Sequence, residues 1–331
     1  MKKAIGFFRE KWLAGVLVEK EFGCVNLFRI NPTIMTKAYV ALLLSIFLWG
    51  INFSITKIGL FEIAPITLAF FRFFVATVFL MIAVFVVQRG KELKKAFIQD
   101  TPFFMLLGFF GVALLFILEY FALKYTSTSQ ASIIMSCDGI LIAVLAYFFL
   151  GEKLGLYKGL GIALGFLGIF FVMFDQVDFL SLFSSQFFLG NVLAFCSALM
   201  WGIYTIMSKK RIQKYDPLVV VTIASIFGAF FLFLAMVLFE GVPSVTEFSM
   251  KAWLVIAWLG VVVSGLCYYL WNYALKYLDA SKVGIYMFLM PVIATGLGML
   301  IFDEKLTVQM VIGAILVFGG IYLTERRGKS V

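Results

Sequence analysis

The chain has 331 residues, 63% of them hydrophobic and 14% charged, with a formal net charge of +9 and no histidine. An ordinary soluble domain is about half apolar and about a quarter charged, so this chain cannot cover itself with polar groups in water, and its mean hydropathy of +1.06 asks for lipid as the solvent. The positive charge does not indicate a nucleic-acid partner, because the basic residues sit in short loops between apolar runs and not on a face interleaved with stacking aromatics. Without histidine, the usual metal ligand and the usual general base are both missing. Cys24, Cys137, Cys196 and Cys267 form no CxxC pair, so neither a zinc site nor a disulfide framework is indicated, and nothing calls for a cofactor.

In chain order, residues 1–36 come first, as an N-terminal cytoplasmic extension. Two readings stand for it: an interfacial helix using Phe7, Phe8, Trp12 and Leu13 beside basic residues, or a misplaced start with translation beginning at Met35. A bilayer core about 30 Å thick needs roughly 20 apolar residues per helix. Such runs cover 38–57, 65–88, 103–123, 129–149, 156–174, 188–208, 217–239, 252–275, 281–302 and 307–324. They are too long and continuous for the alternating strands of a barrel, and lipid leaves helices as the other solution. The predicted class is an all-α membrane protein of ten transmembrane helices. Pro65, Pro102 and Pro217 stand where a first helical turn tolerates proline. With both termini cytoplasmic, 22 of the 27 lysines and arginines fall on the inner side, which predicts a multi-pass protein of the cell membrane in that orientation.

A gapless shift of 152 residues superposes the two halves. Ser45, Trp49, Gly50 and Lys57 fall on Ser197, Trp201, Gly202 and Lys209, and Pro65 falls on Pro217. Ala122-Leu123-Lys124-Tyr125 falls on Ala274-Leu275-Lys276-Tyr277, and Glu152-Lys153-Leu154 on Glu304-Lys305-Leu306. The domains are therefore expected at 37–174 and 188–325. Five spans is an odd number, so the second copy crosses in the opposite sense, giving two inverted five-helix repeats. That design recurs in transporters, with the site between the repeats near the midplane.

The Trp49-Gly50 pair, Arg72-Phe73-Phe74, Ala122-Leu123-Lys124-Tyr125-Thr126-Ser127 and Gly151-Glu152-Lys153-Leu154 resemble the drug/metabolite transporter superfamily, in particular its EamA-type ten-helix members. The resemblance covers about 37–325 and is specific for the superfamily, whose members carry amino acids, drugs, sugars and nucleotide derivatives. Asp138, beside Gly139 where the second half has Pro291, departs from the family pattern.

Ser45, Trp49, Asn52 and Thr56 share one helix face, and Ser197, Trp201, Tyr204 and Ser208 make the matching stripe. They line a substrate-binding cavity or serve helix packing. Arg72 and Glu119 are ionisable groups inside spans at similar depth, which suggests an ion pair acting as a latch, a gate or a substrate site. Tyr268, Trp271 and Asn272 are placed to receive substrate, with interfacial anchoring as the alternative for Trp271. Asp138, near the midplane, either couples transport to protons or stays neutral and hydrogen-bonded. Gly155/Gly159 and Gly161/Gly165 allow close helix packing, within the chain or in a homodimer.

The expected function is secondary active transport of small metabolites, amino acids or drug-like compounds, by alternating access and in the export direction. A carrier or flippase for nucleotide- or lipid-linked sugars is the alternative within the class. An intramembrane enzyme using Glu119 and Asp138 as acid and base is the alternative outside it, disfavoured because catalysis gains nothing from mirrored halves. The expected partners are a small-molecule substrate and the lipid bilayer.

Overall fold

The structure, a computed structural model, describes residues 32–126, 131, 134–172, 188–293 and 308–325. The readings made for residues 1–31 and for Glu304-Lys305-Leu306 lie outside the described residues. Among those described, every regular element is helical. The helices are α1 (Pro32–Leu60), α2 (Pro65–Val86), α3 (Gly90–Gln99) and α4 (Thr101–Tyr125). They continue as α5 (Asp138–Leu150), α6 (Leu156–Val172), α7 (Phe188–Arg211) and α8 (Pro217–Phe239). The last three are α9 (Met250–Tyr277), α10 (Ala280–Ile293) and α11 (Val308–Glu325).

Seven of these, α1, α2, α4, α7, α8, α9 and α11, are long and apolar enough to cross a membrane, and α5, α6 and α10 are shorter apolar helices. Large apolar side chains such as Phe85, Phe148, Leu238 and Ile315 lie on the outside, as a surface facing lipid requires. Helix α3 falls where the sequence suggested only a basic loop. Its lysines, Lys91, Lys94 and Lys95, are exposed, Ala96 is buried, and Phe97 stacks on Phe227 of α8 at 5.4 Å.

Four helix starts among the described residues receive a carboxylate from a distant element. Ala64, before α2, has no side chain able to cap, and Pro65 supplies no N–H. Glu240, at the end of α8, fills the gap: its carboxylate accepts from Ile66 N at 3.0 Å and from Thr67 N at 2.8 Å. Glu152 does the same for α10, accepting from Ala280 N at 2.6 Å and Ser281 N at 3.0 Å. Lys158 joins that cluster by donating to Asp279 and Ser281. Glu62 receives Ser249 N and Oγ at the start of α9, and Glu92 receives Asp216 N at the start of α8. The Gly151-Glu152 pair thus has a physical basis. Gly151 closes α5 at φ 67°, a left-handed position suited to glycine, and hands the chain to the capping glutamate.

Two irregularities recur at the repeat spacing. Helix α4 widens into a π-helical segment at Phe109–Leu114, and α9 does so at Trp258–Leu266, whose later part is the first shifted by 152. Backbones come close just before the first segment and within the start of the second. A Cβ on Gly108 would lie 2.7 Å from Gly228 N, and one on Gly260 would lie 2.9 Å from Arg72 O. A helical interruption at Ser136–Cys137 precedes α5, and α10 is interrupted at Met287–Phe288. In α10 the cause is Pro291, which cannot donate to Met287 O; that carbonyl instead accepts from Met290 N at 2.9 Å.

Helices α6 and α11 form an extended pair in which a Cβ on Gly161 would lie 2.6 Å from Gly320 O and one on Gly168 2.7 Å from Gly313 O. Gly161 therefore serves packing within the chain, and Gly165 abuts Phe288, whereas nothing lies within 4 Å of a Cβ at Gly155 or Gly159.

On the α3 side, Asp100 accepts from Lys214 and from Tyr215 and lies beside Arg211. Burial raises its pKa, but these donors and the nearby charge outweigh burial and hold the carboxyl below its usual value. The sign is that of a depressed acid: the stabilisation is present above the unfolded pKa and is lost as pH falls through the folded one. The Glu240 cap gives a test of the fold. Glu240→Ala leaves Ile66 and Thr67 unpaired and is expected to lower stability by about 1–2 kcal/mol, read as a lower melting temperature of the purified protein, with Glu240→Gln in between.

Candidate functional site

The two polar-aromatic stripes meet. Trp49 of α1 and Trp201 of α7 lie 5.3 Å apart, edge to face. Trp271 of α9 lies 5.4 Å from Trp49 and 5.3 Å from Trp201, and Tyr268 lies 6.0 Å and 5.4 Å from the same two rings. Tyr204 stacks on Trp201 at 5.3 Å. Trp271 is fully buried within this cluster, so interfacial anchoring is not its role. The π-helical segment of α9 contributes two groups here: Val263 O accepts from Trp49 Nε1 at 3.2 Å, and Ser264 Oγ accepts from Arg72 Nε.

Arg72 is not paired as the sequence suggested. Among the described residues it forms no ion pair with Glu119. Its Nη1 donates to Tyr120 OH at 3.1 Å, and its guanidinium lies 4.3 Å from the Phe116 ring centroid. Residue counting addresses depth and says nothing of direction around the helix axis. Arg72 points to the side of α4 that carries Phe116 and Tyr120.

Glu119 is half-buried, and its carboxylate has no hydrogen bond or ion pair among the described residues. Asn52, on the first stripe, donates to Thr56 Oγ1 at 3.1 Å, while its Oδ1 is buried without a partner. Asp138 stands at the first position of α5, after the interruption at Ser136–Cys137, and its Oδ1 is also buried without a partner. In contrast, Asn272 is saturated. It accepts from Ser208 Oγ at 2.5 Å and donates to Tyr204 OH at 2.8 Å and to Tyr268 O at 2.8 Å. Beyond it, Lys209 Nζ donates to Leu275 O and Leu278 O, closing the end of α9.

Positions related by the repeat therefore differ in environment. Tyr204, Trp271, Leu275 and Phe288 are fully buried, at 0% exposure each, whereas Asn52, Glu119, Leu123 and Ser136, which precede them by 152 residues, are half-buried. The second-repeat end of the cluster is sealed, and the first-repeat end keeps accessible polar groups. Of the residues singled out in the sequence, Trp49, Trp201, Tyr204, Tyr268, Trp271 and Asn272 meet, while Asn52 and Thr56 bond to each other. Sequence reasoning missed Phe116, Tyr120 and Ser264, of which Tyr120 was findable as the repeat partner of Asn272.

A chain of apolar helices around a central polar-aromatic cluster, with no metal-binding group of acidic or cysteine side chains among the described residues, is a multi-pass membrane protein of transporter type. It belongs to the EamA-like transporter family, whose model matches residues 36–174 and again 188–326, and so to the drug/metabolite transporter superfamily. An uncharacterized transporter of Archaeoglobus fulgidus is 30% identical over 299 residues, covering 88% of this chain and 98% of its own. The uncharacterized transporter YoaV of Bacillus subtilis is 26% identical over 87% of this chain and 97% of its own length. A protein of known crystal structure shares the fold, with a TM-score of 0.74 at 22% identity over 88% of this chain and 96% of its own.

The saturated and unsaturated asparagines predict different costs. Asn272→Leu strips partners from Ser208 and Tyr204 in a dry site and is expected to cost roughly 2–3 kcal/mol. Asn52→Leu is expected to cost under about 1 kcal/mol, since it removes one partly accessible bond. Thermal unfolding of both purified variants in one detergent checks the difference.

Proposed function

We propose that the protein is a secondary active transporter of small metabolites, amino acids or drug-like compounds, in the cell membrane. In this reading it works by alternating access, in the export direction, with both termini cytoplasmic. The three shorter apolar helices, with the adjoining residues, complete ten spans in two inverted five-helix repeats at 37–174 and 188–325. Trp49, Asn52, Thr56, Arg72, Glu119, Trp201, Tyr204, Tyr268, Trp271 and Asn272 form the substrate path, and Asp138 exchanges protons.

The observation that carries this reading is the unequal burial of repeat-related positions. A scaffold with a pseudo-two-fold axis in the membrane plane has two conformations of similar energy, related by exchanging the environments of its halves. Asn52 and Tyr204 occupy the same place in their repeats, yet one is half-buried and the other sealed. That is the pattern expected of a molecule open on one side. The recurrence of the π-helical segments at the repeat spacing, and of a helical interruption within one residue of it, supports the same axis. Interrupted helices at membrane depth are tolerated where the loosened backbone is buried in protein or faces a cavity.

Under this reading, Asn52 faces the outer side and Tyr204 the inner. In intact cells, a membrane-impermeant maleimide is expected to label Asn52→Cys and not Tyr204→Cys; equal labelling of the two sinks the one-side-open reading. For Asp138, proteoliposomes carrying Asp138→Asn are expected to lose accumulation driven by a pH gradient while retaining exchange of substrate for substrate. A full response to the gradient in that variant would make Asp138 a packed core residue.

A further inference from the structure

We propose that helix α3 docks on the headgroups of anionic lipids, with its lysine face as the binding surface for their phosphates. This surface requires only that the chain spans a membrane and is independent of what the protein carries.

Helix α3 joins two apolar spans. Helix α2 ends at Val86 and α4 starts at Thr101, which leaves Val87, Gln88 and Arg89 before α3 and Asp100 after it. Both ends of α3 are thus tied to span ends, and the helix stays at the level where headgroups begin. Its one buried side chain, Ala96, and the ring of Phe97, stacked on Phe227, hold it against the protein. Away from Ala96, Lys91, Lys94, Lys95 and Ile98 follow the i, i+3, i+4, i+7 spacing of a single helix face.

The charges of this segment are sorted by sign. Both carboxylates are taken up by the protein. Glu92 accepts from Asp216 N at 2.7 Å and from Arg89 Nη1 at 3.2 Å. Asp100 accepts from Lys214 Nζ at 2.7 Å and Tyr215 OH at 2.6 Å, with Arg211 beside it. Lys91, Lys94 and Lys95 are all exposed, and none of them has a hydrogen bond or ion pair among the described residues. Glu92 and Lys95 are three apart and could pair on the helix surface, yet Glu92 turns to the start of α8. Three like charges on one face repel each other, and an anionic surface relieves that repulsion.

The apolar neighbours of the lysines say which anion fits. Ile98, at 68% exposure, lies among them, and Val86 and Val87, just before α3, are 74% and 53% exposed. A small soluble anion offers these side chains nothing. A bilayer boundary takes them in among acyl chains, while the lysine stems lie along it with their amines at the phosphates. Basic clusters beside membrane spans are attracted to anionic lipids for this reason. Because α3 also holds the start of α8 through Glu92 and the α7–α8 connection through Asp100, lipid seated on α3 steadies those contacts as well.

Thermal unfolding of the purified full chain in a mild detergent reads lipid binding through linkage. Added phosphatidylglycerol is expected to raise the melting temperature more than phosphatidylcholine does, and inorganic phosphate to leave it unchanged. The triple variant Lys91→Gln/Lys94→Gln/Lys95→Gln is expected to keep the melting temperature of the lipid-free protein, since the three amines hold nothing in place. It is expected to need roughly 10- to 100-fold more phosphatidylglycerol for the same shift. Lys37→Gln/Lys153→Gln/Lys251→Gln removes the same charge at other exposed positions and is expected to keep the response. A second measurement needs no variant: in nanodiscs, amide hydrogen exchange over residues 90–99 is expected to be slower in phosphatidylglycerol than in phosphatidylcholine. Equal shifts with the two lipids, an equal shift with inorganic phosphate, the same loss in the control variant, or exchange over 90–99 that ignores the lipid each overturns the proposal.

Discussion

Hydrocarbon offers no hydrogen-bond partner, so every backbone group freed where a helix starts, stops or loosens must be paired by the protein itself. In this chain the partners come from far away in sequence. Glu240 ends α8 and caps α2, Glu152 follows α5 and caps α10, Glu62 precedes α2 and meets the start of α9, and Glu92 of α3 meets the start of α8. Each carboxylate also lies where the dipole of the receiving helix favours negative charge. Because cap and helix belong to different elements, these contacts fix how neighbouring helices are placed along their axes. The height of Arg72 opposite Ser264 and Tyr120 depends on that placement.

The same constraint shapes the site. A π-helical segment inserts extra residues into a turn and rotates everything after it relative to everything before. In α9 this lets Val263 and Ser264 address Trp49 and Arg72 while Tyr268, Trp271 and Asn272, further along, still turn to the centre. The loosened turn is enclosed by α2, where Gly260 allows a backbone approach that a side chain would block. Functional geometry and backbone satisfaction are therefore met by one local irregularity, present in both repeats.

What was legible in the sequence follows from what periodicity carries. The stripes Trp49–Asn52–Thr56 and Trp201–Tyr204–Ser208 were readable because helical spacing and a 152-residue shift act within single segments. The shift also brought Trp271 and Glu119 into one frame before any contact was known. The π-helical segments were not readable, since Phe109–Leu114 and Trp258–Leu266 are ordinary apolar runs whose extra residue is stabilised only by packing. Helix α3 was missed because ten residues with four charges carry no membrane signal, and its single buried alanine finds its neighbours only in the fold. The Arg72–Glu119 pair failed for a different reason: residue counting gives depth, whereas partner choice depends on azimuth. Tyr120 follows Glu119 by one residue and about 100° of helical turn, and Arg72 faces Tyr120.

The scaffold is symmetric and its chemistry is not, and the difference gives the alternating-access reading a mechanism for coupling. Two related conformations of similar energy would interconvert freely whether or not substrate was present, and a transporter that did so empty would make its return step independent of its load. Here the first repeat carries Arg72 and Glu119 where the second carries Ala224 and Trp271. Exchanging environments would bring Glu119 into the sealed surroundings that now hold Trp271, at a cost of several kcal/mol for an unpaired carboxylate. Each 1.4 kcal/mol is about a tenfold change in population, so the empty, ionised carrier would be held open on the first-repeat side by a factor of hundreds or more. In that reading a bound substrate, or a proton, would cancel that cost and permit closure. The acid without a partner among the described residues would then make the change of state conditional on what is bound, and the sealed aromatic half would need no charge of its own.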